Sequence, residues 1–257
     1  MTTSSLSPQA LAVIDSYEHL KIGNKTINCP YFNNRTSNLR GALRVLVGKG
    51  TPGEIADEAR IISLRDKFEL DELNEGDLIK FLTEQHLGID CAAFGYYVLD
   101  AELQSTQNKK LKQLLSFKSK GLLRRLIAKF RIVENTGVLV FSENSKEIKL
   151  DEVKPSDTII ALGGGIRHDY NHIIIITSVT KDQSDKPQSM EYAHSYTWKS
   201  EGKYTKGIRR GTIKITKPEG TILEQQWTED GKTGEKNETW TYLKSADTVN
   251  IKSIYKS

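Results

Sequence analysis

Read as a pattern of apolar and polar positions, the chain changes texture near residue 136. Before that point apolar residues recur three and four apart, the spacing of one helix face. This predicts helices over SPQALAVIDSYEHL (7–20), SNLRGALRVLVGKG (37–50), TPGEIADEARIISL (51–64) and NEGDLIKFLTEQHLG (74–88), with another starting at Cys91. The start at Thr51 is marked by a capping box, with Thr51 as N-cap, Pro52 in the first helical position and Glu54 three residues on. Gly88 is expected to stop the helix before Cys91, and KIGNKTINCPYFNNR (21–35) reads as an extended, turn-rich connection.

After residue 136 the pattern becomes strand-like: TGVLVFS, DTIIAL, HIIIITSV, MEYAHSYTW, RGTIKIT, ILEQQWTE and ETWTYLKS, separated by polar or glycine-bearing turns. KDQSDKPQS and EDGKTGEKNE read as hairpin loops, and the first few residues as a flexible start. Helices followed by antiparallel strands predict an α+β fold with helices packed on one side of a sheet.

Composition adds bounds. A chain of 257 residues with 37% hydrophobic and 27% charged residues is long enough for a sizeable core and has none of the marks of disorder. No apolar run approaches the ~20 residues of a spanning helix. The first residues lack a basic start, an apolar centre and a cleavage site, so the expected location is cytoplasmic, with release from the cell only by some other route. The net charge of +4 conceals an asymmetry: KKLKQLLSFKSKGLLRRLIAKFR (109–131) carries nine Lys or Arg and no acid, leaving the rest of the chain at about −5. Leucines at helical spacing with Gly121 as a break predict two short helices there. Their basic side is either a solvated face or an attraction site for an anionic polymer or membrane surface, with Lys118, Lys120, Arg124 and Arg125 in the middle of it.

The only cysteines are Cys29 and Cys91, too few for a disulfide framework and without zinc spacing. In HLGIDCAAFGYYVLDAE (86–102), Cys91 stands at the first turn of a buried helix. Unpaired N–H groups and the positive end of the helix dipole favour a thiolate there; the plainer reading is a small buried apolar residue. A nucleophilic thiol needs a histidine partner. His19 and His86 lie in helical surface contexts. His172 opens the isoleucine run, and a hairpin would set His194 of the next strand alongside it, so that one ring could orient the other. His168, Asp169, His172 and His194 are metal-ligating residue types, but His-x-x-x-His binds zinc on a helix and this segment reads as strand. LGGGIR (162–167) lacks any Walker or dinucleotide surroundings, which leaves it as a loop leading to His172.

Taken in order, GIDCAAF, VKPSDTI, NHIIII and EYAHS resemble the NlpC-type papain-like cysteine peptidases, whose pattern is roughly D-C-S-G-F, P-G-D, H-V-x-I-x-I and a polar residue on the following strand. The resemblance covers about residues 86–200. It implies a papain-like core over 86–257 with a basic helical insertion at about 105–135, preceded by a helical segment, 1–85, packed on that core. It implies Cys91 as nucleophile, His172 as general base and His194 as the residue orienting His172, with Tyr31 and Asp90 as auxiliary residues. It also implies a peptide or peptidoglycan-fragment substrate cleaved through a thiol acyl-enzyme, with neither metal nor cofactor. An intracellular amidase or acyltransferase, and a non-catalytic module binding an anionic polymer, are the alternatives. Ala92 and Ala93 stand where the family has Ser-Gly, and Ser156 where it has the glycine of P-G-D.

Overall fold

The computed structural model describes residues 1–34, 43–117 and 130–254. Its fold is α+β. The helices are α1 (Pro8–Glu18), α2 (Pro52–Asp66), α3 (Glu75–Glu84), α4 (Cys91–Gln107), α5 (Ile132–Asn135), α6 (Val138–Asn144) and α7 (Glu238–Lys244). The strands are β1 (Thr2–Ser5), β2 (Leu20–Ile22), β3 (Lys25–Ile27), β4 (Lys146–Glu147), β5 (Thr158–Gly164), β6 (Tyr170–Lys181), β7 (Pro187–Ser195), β8 (Ile208–Lys214), β9 (Gln226–Glu229), β10 (Lys232–Thr233) and β11 (Thr248–Ser253). Nine of them form one antiparallel sheet in the order β10-β9-β8-β7-β6-β5-β11-β4, with β1 on the far half of β6; β2 and β3 form a separate hairpin.

The central strand β6 explains its own sequence. Ile173 and Ile175 face a core built with α1 to α6, while Ile174 and Ile176 face a second core with Trp227, Tyr192 and Leu243 of α7. Both faces are covered, so the strand reads as an unbroken apolar run rather than an alternation. Helix α4 lies on the first face, where Gly95 brings its backbone close to the side chains of Ile173 and Ile175. Residues 1–85 are continuous with this core: α1 packs on α4, Tyr17 meets Phe94 edge-on at 5.9 Å, and Glu102 accepts the Ser7 N–H at 2.7 Å.

The capping box at Thr51 is formed as expected, with the Thr51 N–H donating to Glu54 at 2.8 Å and the Glu54 N–H to Thr51 Oγ1 at 3.3 Å. Other expectations need correction. The first residues pair with β6 as an edge strand. α3 ends at Glu84 with Gln85 as its C-cap and His86 in the left-handed region at φ 61°, before Gly88 is reached. TGVLVFS and ETWTYLKS are helices α6 and α7, because Val138 and Phe141, and Thr239 and Leu243, are buried at helical spacing. Within 37–50 the described part is a 3₁₀ turn, Arg44–Val47. Among the described residues of the first expected basic helix, 109–117, there is only a 3₁₀ turn, Leu111–Gln113. Lys118, Lys120, Arg124 and Arg125 lie outside the described residues. Ser156 takes φ 74°, so the turn holds the left-handed backbone that a glycine there would adopt without strain. Among the described residues no helix is long and apolar enough to cross a membrane.

Candidate active site

Cys91 is the first residue of α4, and its position is over-determined. Asp90 is the N-cap, accepting the Ala93 N–H at 2.7 Å, and its carboxylate pairs with Lys49 Nζ at 2.8 Å; Lys49 also donates to the Thr136 carbonyl at 3.0 Å. Ile89 bridges to Tyr31 on one side and Lys49 on the other. Its carbonyl accepts the hydroxyl of Ser195, the residue after His194, at 2.8 Å. The helix start is thereby tied to the strand that carries one histidine. The thiol itself lies beside the backbone N–H of Ile173, the residue after the other.

His172 and His194 do meet. His172 Nε2 lies 2.7 Å from His194 Nδ1, with the rings nearly perpendicular. The chain continues beyond them: His194 Nε2 lies 3.0 Å from Glu229 Oε2 on β9, and all three side chains are buried. Glu229 also accepts the Tyr192 hydroxyl at 2.8 Å and the Thr239 hydroxyl at 2.9 Å. Arg209, itself fully buried, stands 4.0 Å from its other oxygen. Strand register makes this reach feasible, because Tyr192 and Glu229 both sit opposite Gly211 of the intervening β8.

Three half-buried tyrosines form a cluster on one side of His172. Tyr196 is 5.1 Å from His172 and 6.3 Å from Tyr31, centroid to centroid, and Tyr242 meets His172 edge-on at 5.9 Å. Tyr31 accepts from Asn33 Nδ2 at 3.2 Å, which leaves its own O–H to donate. Next to His172, the β5–β6 register shifts between Ala161 and Gly164; residues 162–164 of LGGGIR are therefore the end of β5 with a bulge, and the turn leading towards His172 begins at Gly165.

The electrostatics differ from a thiolate held at a helix start. Burial pushes the Cys91 thiol up to about 12, and the Asp90 carboxylate adds to it; the N–H groups of Ile173 and Ala92 and the Lys49 ammonium only partly offset this. Burial holds His172 well below the ordinary imidazole range. The resting pair is thus a neutral thiol and a neutral imidazole. Burial pushes the Glu229 carboxyl up, but the hydrogen bonds it accepts from His194, Tyr192 and Thr239 outweigh it and leave the carboxyl below its usual range.

Cys29 is buried, donates to the Pro30 carbonyl at 3.6 Å and lies outside this constellation. His168 is elsewhere too, exposed and 2.7 Å from Asp247. Among the described residues no group of three or more His, Cys, Asp or Glu is placed to hold a metal. A cavity of about 390 Å³ lined by Glu147, Lys149, Lys186 and Pro218, among others, includes none of the site residues.

Glu229 and Asp90 were not equally legible. Asp90 stands next to the cysteine in sequence, and its part here is to cap α4 and hold Lys49. Glu229 lies 35 residues beyond His194, and only the register across β8 connects them. No family model matches the chain, and neither does any curated protein or solved structure.

Proposed function

We propose that this protein is a papain-like, NlpC-type cysteine hydrolase that cleaves amide bonds through a thiol acyl-enzyme at Cys91. The observation that supports it most is the buried run His172–His194–Glu229, whose first residue directly precedes Ile173, the residue with its N–H beside the Cys91 thiol. Burying two imidazoles and a carboxylate is costly unless each is hydrogen-bonded, and such clusters concentrate where chemistry needs them.

In this reading the thiol proton passes to His172 Nδ1 as sulfur attacks the carbonyl carbon. Nε2 is already committed to His194, so Nδ1 is the nitrogen left to act. The Cys91 N–H, at the first helical position, has no partner one turn earlier in the helix; it and the Tyr31 hydroxyl are the donors for the oxyanion. His172 then gives its proton to the departing amine, and in the second half takes one from the water that opens the thioester, restoring the thiol. Because the resting thiol is neutral, proton transfer accompanies attack rather than preceding it. The family resemblance makes peptidoglycan stem peptides the first substrate class to test, with other peptide amides next.

The same burial of the thiol favours a second reading, a binding module in which Cys91 is a quiet core residue. Mass spectrometry of peptidoglycan fragments and model peptide amides, incubated with the protein and with Cys91→Ala, separates the two. Cleaved products from the native protein alone support the hydrolase, and identical spectra from both support the module.

A further inference from the structure

We propose that Glu229 is a positioning residue that fixes the tautomers of both His194 and His172, and so decides which nitrogen of His172 is the base. The inference rests on the hydrolase reading for its catalytic meaning, but the tautomers themselves follow from donors and acceptors for a neutral His194, the state that the spectra below test. Trp198 Nε1–H can only donate, and it points at Thr239 Oγ1 at 3.0 Å. With one lone pair of Thr239 taken, its own O–H donates to Glu229 Oε1 at 2.9 Å. Tyr192 donates to Oε2. Glu229, flanked also by Arg209 at 4.0 Å, is therefore an acceptor throughout. An acceptor at 3.0 Å from His194 Nε2 requires the proton on that nitrogen.

The consequence propagates. A neutral His194 protonated at Nε2 has a bare Nδ1, which must accept from His172. His172 then carries its proton on Nε2, at 2.7 Å, and presents a bare Nδ1 away from the chain. When His172 takes the thiol proton, the S–H bond breaks and an Nδ1–H bond forms. The resulting imidazolium keeps donating through Nε2 to His194, which keeps donating to the Glu229 carboxylate. No proton travels along the chain; it holds orientation and spreads charge.

Glu229→Gln tests this with little change of shape. The glutamine amide offers N–H groups, so its nitrogen can donate to His194 Nε2. That drives His194 to its Nδ1–H form, which donates to His172 Nε2 and leaves the proton of His172 on Nδ1, the wrong nitrogen for a base. In ¹⁵N-histidine-labelled full-length protein at neutral pH, long-range ¹H–¹⁵N spectra are expected to show His172 and His194 both protonated at Nε2 alone, and both rings altered in Glu229→Gln. Acylation by an activated ester should fall on the order of 10²–10⁴-fold, as for other wrong-tautomer bases, in kcat rather than in KM. If the native protein shows an imidazolium at His194 or a proton on His172 Nδ1, the proposal is overturned, whether or not the variant folds. So it is if Glu229→Gln leaves both tautomers unchanged. Correct tautomers in a protein whose acylation is indifferent to Cys91→Ala would instead overturn the hydrolase reading and leave this one standing.

Discussion

Tyr192 reaches across a neighbouring strand because the residue in its way is Gly211: a Cβ on Gly211 would stand 2.2 Å from both Cζ and the hydroxyl oxygen of Tyr192. The phenol lies over β8 in the gap this leaves and bonds Glu229 on β9 at 2.8 Å. Gly211→Ala must displace a fully buried ring, so it is expected to destabilise the fold by about 1–3 kcal/mol, the usual cost of overpacking. The displaced ring would also withdraw one donor from Glu229 and lower turnover. Urea denaturation together with kcat checks both, and a variant as stable and as active as the native protein would show that the gap is not needed.

The sequence made some of this visible for identifiable reasons. Thr51 and Glu54 announce their helix because the capping box is a local hydrogen-bond exchange. HIIII announces a central strand because both of its faces are covered. TGVLVFS and ETWTYLKS read as strands because an apolar stretch of seven or eight residues suits a short helix as well as a strand. What decided them was tertiary: Phe141 and Leu243 each needed a neighbour one turn away to share their core. A cue did exist at Asn237, whose side chain accepts the Trp240 N–H at 3.1 Å as an N-cap. Within the site, Cys91, His172 and His194 were legible as a helix start and two adjacent strand positions. Glu229 had no local signal, since a TED stretch before a glycine reads as a loop, and only three-strand register brings it behind His194.

Asp157 gives the fold a distinctive pH response. Its carboxyl is buried, with Oδ2 accepting the Lys154 N–H at 2.9 Å, and burial, against the opposing Ser253 hydroxyl and the Lys154 bond and charge, raises it to about 6 from an ordinary value near 3.8. An acid held up in this way binds its proton more tightly folded than unfolded. Its contribution is complete below the ordinary value and is lost as pH climbs towards 6. Above that the bare carboxylate costs on the order of 2–3 kcal/mol. Asp157→Asn keeps the oxygen that accepts from Lys154 and removes the charge. It should raise the unfolding midpoint in urea at pH 7.5 and have little effect at pH 4; a loss of stability at pH 7.5 would contradict this.

The two thiols should differ from an activated cysteine and from each other. With Cys91 near 12 and Cys29 pushed higher still by its burial, iodoacetamide should modify Cys91 first, slowly at neutral pH and faster with every step upward. Asp90→Asn keeps the helix cap but removes the carboxylate that raises the thiol, and leaves the Lys49 charge to favour thiolate. Labelling of Cys91 should therefore quicken, while stability falls by about 3–5 kcal/mol because a buried ammonium loses its partner. Peptide mapping over pH 6–10 decides; a labelling rate that levels off below pH 8 would indicate a preformed thiolate–imidazolium pair instead.

The claim that Cys91 forms an acyl-enzyme with His172 as its base is tested most directly by intact-mass spectrometry during a single turnover with an activated ester, run on the native protein, Cys91→Ala and His172→Ala. The native protein should gain the mass of one acyl group, mapped to Cys91 and released with time. Cys91→Ala should gain none, and His172→Ala should acylate at least ~10²-fold more slowly. An adduct that forms equally in Cys91→Ala, or that forms on Cys91 at the native rate without His172, would contradict the account.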